Sequence, residues 1–263
     1  VGAAVRGRFD AVALAEVFEA EEQRAVADAW PGVASVAGPL RRGLRRTNSG
    51  LLTLADPASA VVEGSERLAY RSGRDPRDSD TFAAKGALLV HLGRTDGGPG
   101  IDLVSTHLMA GGDLLPIPGH DDRERHHRTR MAQVDELVAF VDRHRDRARP
   151  LLLAGDLNVI AEHPGHPESA ATYRDLLAHL APLGGRDLWA DLGVGDGPTC
   201  TFTAAADLPP DPADPDAVDD HVPAPPPPAE RIDYLWLVPA ATGPLVATPA
   251  RPRRLAFPGR AAR

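Results

Sequence analysis

The sequence contains one cysteine, Cys200, one lysine, Lys85, and only two asparagines, Asn48 and Asn158. A lone cysteine excludes an internal disulfide and any cysteine-rich metal site. No apolar run approaches the roughly 18–20 residues that a membrane-spanning helix requires, so such a helix is not expected. Aromatic residues are also sparse, at 5%. Trp189, Tyr234 and Trp236 therefore read as core or rim residues rather than as a platform for stacked bases. The opening stretch lacks the charged start and long apolar run of a signal peptide. Because the first residue is Val1, the natural N-terminus is expected to lie upstream.

What is present is ordinary for a folded domain: 263 residues, 43% hydrophobic and 25% charged. A chain of this length buries roughly 70–75% of the surface it exposes when unfolded, so a sizeable core is available. The net charge of −8 argues against a general nucleic-acid coat or a basic membrane-surface helix, while leaving a metal-assisted nuclease open. The other 28 of the 29 basic residues are arginine. Alongside abundant Ala, Gly and Pro, this is the mark of a coding bias that drains Lys and Asn wherever they are dispensable. Lys85, Asn48 and Asn158 are thereby candidates for chemistry.

Short β-like runs bounded by turn residues recur at Ala11–Leu14, Gly50–Leu54, Gly86–Leu92, Ile101–Ser105, Leu151–Ala154 and Ile232–Val238. Between about Asp122 and Arg147, Met131, Val134, Leu137, Val138 and Val141 fall at helical spacing opposite a charged face, which predicts an amphipathic helix. Two more helices are predicted at Glu19–Ala29 and Glu168–Leu180. The mixture indicates one α/β (α+β) domain over 1–263 with helices covering sheet faces. The Pro-rich, acidic stretch at 208–229 is expected to be a surface excursion within it.

Three polar signatures fall at the C-terminal ends of apolar strands: Glu16, Thr106-His107, and Gly155-Asp156-Leu157-Asn158. Strand ends are where sheet enzymes assemble their sites, and three of them would converge on one rim. A carboxylate, an imidazole and a carboxylate-amide pair suit a hard divalent cation and a phosphate. Mg²⁺ takes oxygen ligands, keeps several waters and needs only one or two protein carboxylates, and Glu16 is the natural ligand. His107 and Asn158 would donate to phosphoryl oxygens or the leaving group, and Asp156 would orient or deprotonate the attacking water.

These motifs resemble the endonuclease/exonuclease/phosphatase superfamily with the deoxyribonuclease I fold, and most nearly its neutral sphingomyelinase branch. Ala13-Leu14-Ala15-Glu16-Val17-Phe18 resembles the family's Leu-Gln-Glu-Val segment, and Ser49-Gly50-Leu51 its Ser-Gly-Leu strand start. Ser105-Thr106-His107-Leu108 and Gly155-Asp156-Leu157-Asn158 match closely. Arg130 and Gln133 resemble the Arg-x-x-Gln of the preceding helix. Gly197-Pro198-Thr199-Cys200 and Arg231-Ile232-Asp233-Tyr234 resemble the late motif pair. The resemblance spans residues 9 to 238. It implies a two-sheet β-sandwich flanked by helices, a four-layer fold here lacking terminal strands. It also implies a metal-dependent phosphodiesterase using Mg²⁺, with Mn²⁺ or Ca²⁺ as alternatives.

Asp80 and Lys85 are spaced as in the Asp…Lys-Gly element of neutral sphingomyelinases, where the pair switches the site between states; the bland reading is a surface ion pair worth about 0–1 kcal/mol. Asp233 is expected to accept a hydrogen bond from a catalytic histidine or water. The family's first Asn strand and terminal Ser-Asp-His are absent, and Asp219-Asp220-His221 stands before Arg231-Ile232-Asp233 rather than after it. The expected substrate is a phosphodiester, such as a phospholipid head group met at a membrane surface by a monomer. A nuclease or sugar-phosphate phosphatase, and a non-catalytic binding relative, are the alternatives. His126-His127, His163 with His166, and Arg41-Arg42 with Arg45-Arg46 are read as solvated faces and turns.

Overall fold

The computed structural model describes residues 2–41, 46–73, 75, 77–112, 123–193, 197, 199 and 228–241. The N-terminal part contributes helix α1 (Gly2–Val5), strand β1 (Ala11–Leu14), helix α2 (Ala20–Asp28) and strands β2 (Ala34–Ala37) and β3 (Leu52–Ala55). Next come β4 (Ala60–Ala69), β5 (Gly86–Arg94), β6 (Ile101–His107), α3 (Arg123–His144), β7 (Leu151–Asp156) and α4 (Ser169–Leu180). The last elements are β8 (Arg186–Asp187), α5 (Leu188–Leu192) and β9 (Asp233–Val238). A 3₁₀ turn at Ser79–Phe82 precedes β5, and another at Ala181–Leu183 follows α4.

The strands form two sheets. The smaller has three strands in the order β1-β3-β2, all antiparallel. The larger has six in the order β4-β5-β6-β7-β9-β8, with β6 and β7 as its parallel pair. The α3 crossover that joins β6 to β7 is what a parallel neighbour demands.

Side-chain alternation sets the layers. On β5, Leu88, Val90 and Leu92 face the small sheet, while Ala87 and Leu89 face α3 and α4. On β7, Leu151 and Leu153 point to the helices and Leu152 to the small sheet. Tyr234, Trp236 and Val238 of β9 join the helix side, where Met131, Val134, Leu137 and Val141 of α3 close the core. The far face of the small sheet, with Leu52 and Leu54, packs Val5 of α1 and Val26 of α2. The result is four layers, helices–sheet–sheet–helices, as the family resemblance implies.

The expected strands and helices all form, with shifted ends. The third strand begins at Leu52, because Gly50 is held at φ 73° in the turn before it, and α3 runs from Arg123 to His144. Strands β2, β4 and β8 were not expected from the sequence. The sequence of β4 hides it: Glu63, Gly64, Ser65, Glu66 and Arg67 interrupt the apolar alternation, and the strand lies at the sheet edge with a register shift between Val62 and Gly64. Residues 208–227 of the Pro-rich stretch, Asp219-Asp220-His221, Pro198, Cys200, Arg42 and Arg45 lie outside the described residues.

Candidate active site

The C-terminal ends of β1, β6 and β7 meet at one rim. His107 ends β6 directly opposite Asp156 on β7, and Asp156 pairs in turn with Asp233, the first residue of β9. The His107 Nε2 atom lies 3.7 Å from Asp156 Oδ2. Asp156 Oδ1 accepts from the Asn158 backbone N–H at 2.8 Å, and Asn158 Nδ2 donates to the Leu108 carbonyl at 3.1 Å, so the Gly-Asp-Leu-Asn turn is laced to the end of β6. Glu16, just past β1, adds its charge to the field at both Asp156 and Lys85.

Glu16 and Asn158 are the two non-glycine residues with positive φ among the described residues, at 63° and 50°. Asn tolerates that region; Glu does not adopt it freely, and such backbones persist only where their surroundings over-determine them. Gly50 supplies part of that constraint. A Cβ there would sit 3.0 Å from both Glu16 Cα and Glu16 N.

Lys85, immediately before β5, is buried, and its Nζ lies 2.7 Å from His107 Nε2 and 3.6 Å from Asp80 Oδ1. Lys85 is buried and Asp80 partly so, which displaces the surface ion-pair reading. Asp80 Oδ2 accepts from the Ala110 and Gly111 N–H groups at 2.6 and 3.2 Å. The turn carrying Asp80 is fastened to α3, where Arg125 NH1 reaches both carboxylate oxygens of buried Asp78, at 2.7 and 2.9 Å. His126 also faces Asp78, with Nε2 3.3 Å from Oδ1. The expectation of a solvated His126-His127 face is thus corrected: His126 is buried under the Asp75–Phe82 segment, and His127 pairs with Asp175 on α4 at 2.7 Å. His163 and His166 do form a turn, closed by the His166 N–H on the His163 carbonyl.

The electrostatics follow from this packing. Burial lowers the Lys85 pKa, opposed by Asp80, Asp156 and Glu16. Burial, reinforced by the Lys85 charge, pulls His107 down to about 3, so its imidazole is neutral at pH 7. With Lys85 donating to Nε2, the imidazole proton belongs on Nδ1. Burial and then the Asp233 charge push Asp156 up to about 7, against the Asn158 N–H that favours the carboxylate. A carboxyl that titrates near neutrality is matched to proton transfer.

A cleft of about 280 Å³ opens beside these groups, lined by Ala13, Leu14, Asp156, Trp189, Asp233 and Leu235, among others. Trp189 is thus a rim residue, whereas Tyr234 and Trp236 are core. Thr106, matched in the motif, is structural: it is fully buried, bonded to the Tyr70 hydroxyl at 2.6 Å and to the Gly86 carbonyl at 3.0 Å. Gln133 is likewise a brace, accepting from Met109 N–H at 2.9 Å and donating to the Ser72 carbonyl at 3.1 Å. Arg130, matched in the motif, carries no role in the sequence reading. Its guanidinium is partly buried, its NH1 donates to the Ala110 carbonyl at 3.2 Å, and its charge acts on Asp156 and Asp80. Its spacing from Gln133 was the available signal.

The rim offers oxygen donors: the carboxylates of Glu16, Asp156 and Asp233 and the amide oxygen of Asn158. That set fits a hard divalent cation. Among the described residues, no three His, Cys, Asp or Glu side chains are grouped to enclose a metal. An ion that keeps most of its waters needs only one or two carboxylates, and exposed Glu16 meets that requirement.

No family model and no curated protein matches the chain. Solved structures do. Sphingomyelinase C from Streptomyces griseocarneus is similar at 20% identity and TM-score 0.55, over 92% of this chain and 76% of that one. A beta toxin from Staphylococcus aureus, an F277A, P278A mutant with bound magnesium ions, is similar at 16% identity and TM-score 0.53, over 89% and 73%. Against another beta toxin structure the chain spans 59% of that chain's length. An endonuclease/exonuclease/phosphatase family protein from Bacteroides thetaiotaomicron is similar at 13% identity and TM-score 0.50, over 88% and 68%. Within the described residues, no helix is long and apolar enough to cross a membrane. The four layers, the strand order and these likenesses show that the chain shares the fold of these structures, the deoxyribonuclease I-like fold.

Proposed function

We propose that the protein is a divalent-cation-dependent phosphodiesterase that hydrolyses a sphingomyelin-like lipid head group. The observation that carries this reading is the meeting of His107, Asp156, Asn158 and Lys85 at one rim with Glu16, on strands far apart in sequence. Glu16 would hold the cation, Mg²⁺ first, with Mn²⁺ or Ca²⁺ also suited to its oxygen donors. When bound, the cation supplies charge neutralisation on the phosphoryl oxygens.

The chain's own groups do the rest. Asp156, titrating near 7, orients the attacking water and takes its proton as the new P–O bond forms. Asp233, opposite it in the sheet, keeps that carboxyl basic enough to accept the proton. The Lys85 ammonium and the Asn158 amide are the donors for the charge that grows on phosphorus oxygens, while neutral His107 holds Lys85 through Nε2. As the new P–O bond forms, the P–O bond to the lipid alcohol breaks, the leaving oxygen takes a proton from solvent, and Asp156 returns the proton it took from water to solvent. Asp80, 3.6 Å from Lys85, sets how far that ammonium leans toward His107. The Asp80–Lys85 element and the likeness to sphingomyelinase C favour the lipid over other diesters.

The test compares hydrolysis of sphingomyelin in vesicles, an aryl phosphodiester and plasmid DNA, with Mg²⁺ present. Lipid turnover well above plasmid cleavage is expected. Strong plasmid cleavage without lipid turnover would replace the lipid reading with a nuclease.

A further inference from the structure

Of the two asparagines, Asn158 lies in the site and Asn48 lies in a strap, residues 46–50, that the proposed chemistry leaves unexplained. One end of the strap is tied to the segment carrying Asp80 and Lys85. The Arg46 and Thr47 N–H groups donate to the Phe82 carbonyl at 2.8 and 3.2 Å, and Ala84 N–H donates to the Thr47 carbonyl at 3.2 Å. The other end is tied to the residues that follow Glu16. Gly50's carbonyl accepts from Val17 N–H at 2.9 Å, and Asn48 Nδ2 donates to the Phe18 carbonyl at 3.0 Å. Gln23 Nε2 adds a third bond, to the Val17 carbonyl at 2.8 Å.

Asn48 spends both ends of its amide here, since its Oδ1 accepts from Arg41 N–H at 2.9 Å. The carboxamide donates and accepts at once; aspartate has no donor for Phe18, and alanine has neither group. These bonds hold the chain on the C-terminal side of Glu16, whose left-handed backbone needs outside constraint. We propose that Asn48 is a positioning residue that fixes the Glu16 carboxylate for its cation and, through the strap 46–50, links it to the Asp80–Lys85 segment. This rests on Glu16 being the cation ligand.

The experiment is a Mn²⁺ titration of the full chain, followed by electron paramagnetic resonance of the free ion, on the parent, Asn48→Ala, Gln23→Ala and Glu16→Gln. Thermal melts monitor folding. Residues that orient a ligand typically change metal affinity by about 10–100-fold. Asn48→Ala is expected near the lower end of that range and Gln23→Ala to lose less, in the same direction. The Mg²⁺ concentration for half-maximal rate should rise in step, with kcat at saturating Mg²⁺ within about twofold of the parent. Parent-like Mn²⁺ affinity in both brace variants, with Glu16→Gln weakened, overturns the proposal and leaves the ligand assignment standing. Parent-like affinity in Glu16→Gln overturns both. Should Asn48→Ala melt below the assay temperature, Gln23→Ala alone decides.

Discussion

Replacing Asp156 by Asn separates the catalytic demand on that residue from its structural cost. The carboxyl is pushed from 3.8 to about 7 by burial and by Asp233, so its ionised form is disfavoured in the fold by roughly 4 kcal/mol at pH 8. The native state holds a proton that the unfolded chain has released, and stability therefore falls as pH rises between 3.8 and about 7. Asn mimics the protonated acid and keeps an oxygen for the Asn158 N–H. Asp156→Asn should be more stable than the parent by up to roughly 4 kcal/mol at pH 8, shrinking below about 2 kcal/mol at pH 5. His107 acts in the opposite sense, because its pKa of about 3 makes the fold lose stability as pH drops below 6.5. That contribution is common to both proteins and cancels in the difference. Urea unfolding followed by tryptophan fluorescence, with a chelator present, measures the gap at both pH values. A variant less stable than the parent at pH 8, or a gap independent of pH, would refute the electrostatic reasoning.

Two further outcomes follow from the same geometry. Lys85→Met removes the charge beside His107, so the imidazole should titrate above its present value of about 3 yet below 6.5, since burial remains; histidine NMR resonances followed with pH would read this, and an unmoved titration would contradict it. Gly50→Ala places a Cβ 3.0 Å from the Glu16 backbone at a φ of 73°, and should cost on the order of 1–3 kcal/mol in urea unfolding; a neutral effect would remove Gly50 as part of the constraint on Glu16.

Much of this molecule is legible in its sequence because the central strands are buried on both faces. Leu88–Val90, Leu103-Val104 and Leu151–Leu153 announce themselves as apolar runs, and the stripe on α3 does the same at helical period. Strand β4 does not, since an edge strand exposes one side and its Glu63, Glu66 and Arg67 hide the alternation. In the site, the residues at strand ends could be placed because a strand fixes where its last side chain goes. The Lys85–His107 contact could not, as it depends on the turn at Ser79–Phe82 packing against α3 through Asp78 and Arg125. The same packing buries His126, which a helical projection puts among charged neighbours. Arg130 and Asn48 escaped assignment because their roles lie in bonds to backbone carbonyls of loops.

The most direct measurement is Mg²⁺-dependent phosphodiester hydrolysis by the parent, Glu16→Gln and Asp156→Asn, each confirmed folded by circular dichroism. The parent should turn over sphingomyelin, stop when a chelator removes the cation, and recover when Mg²⁺ returns, with both variants inactive. Turnover that survives in either variant, or that ignores the chelator, would contradict it.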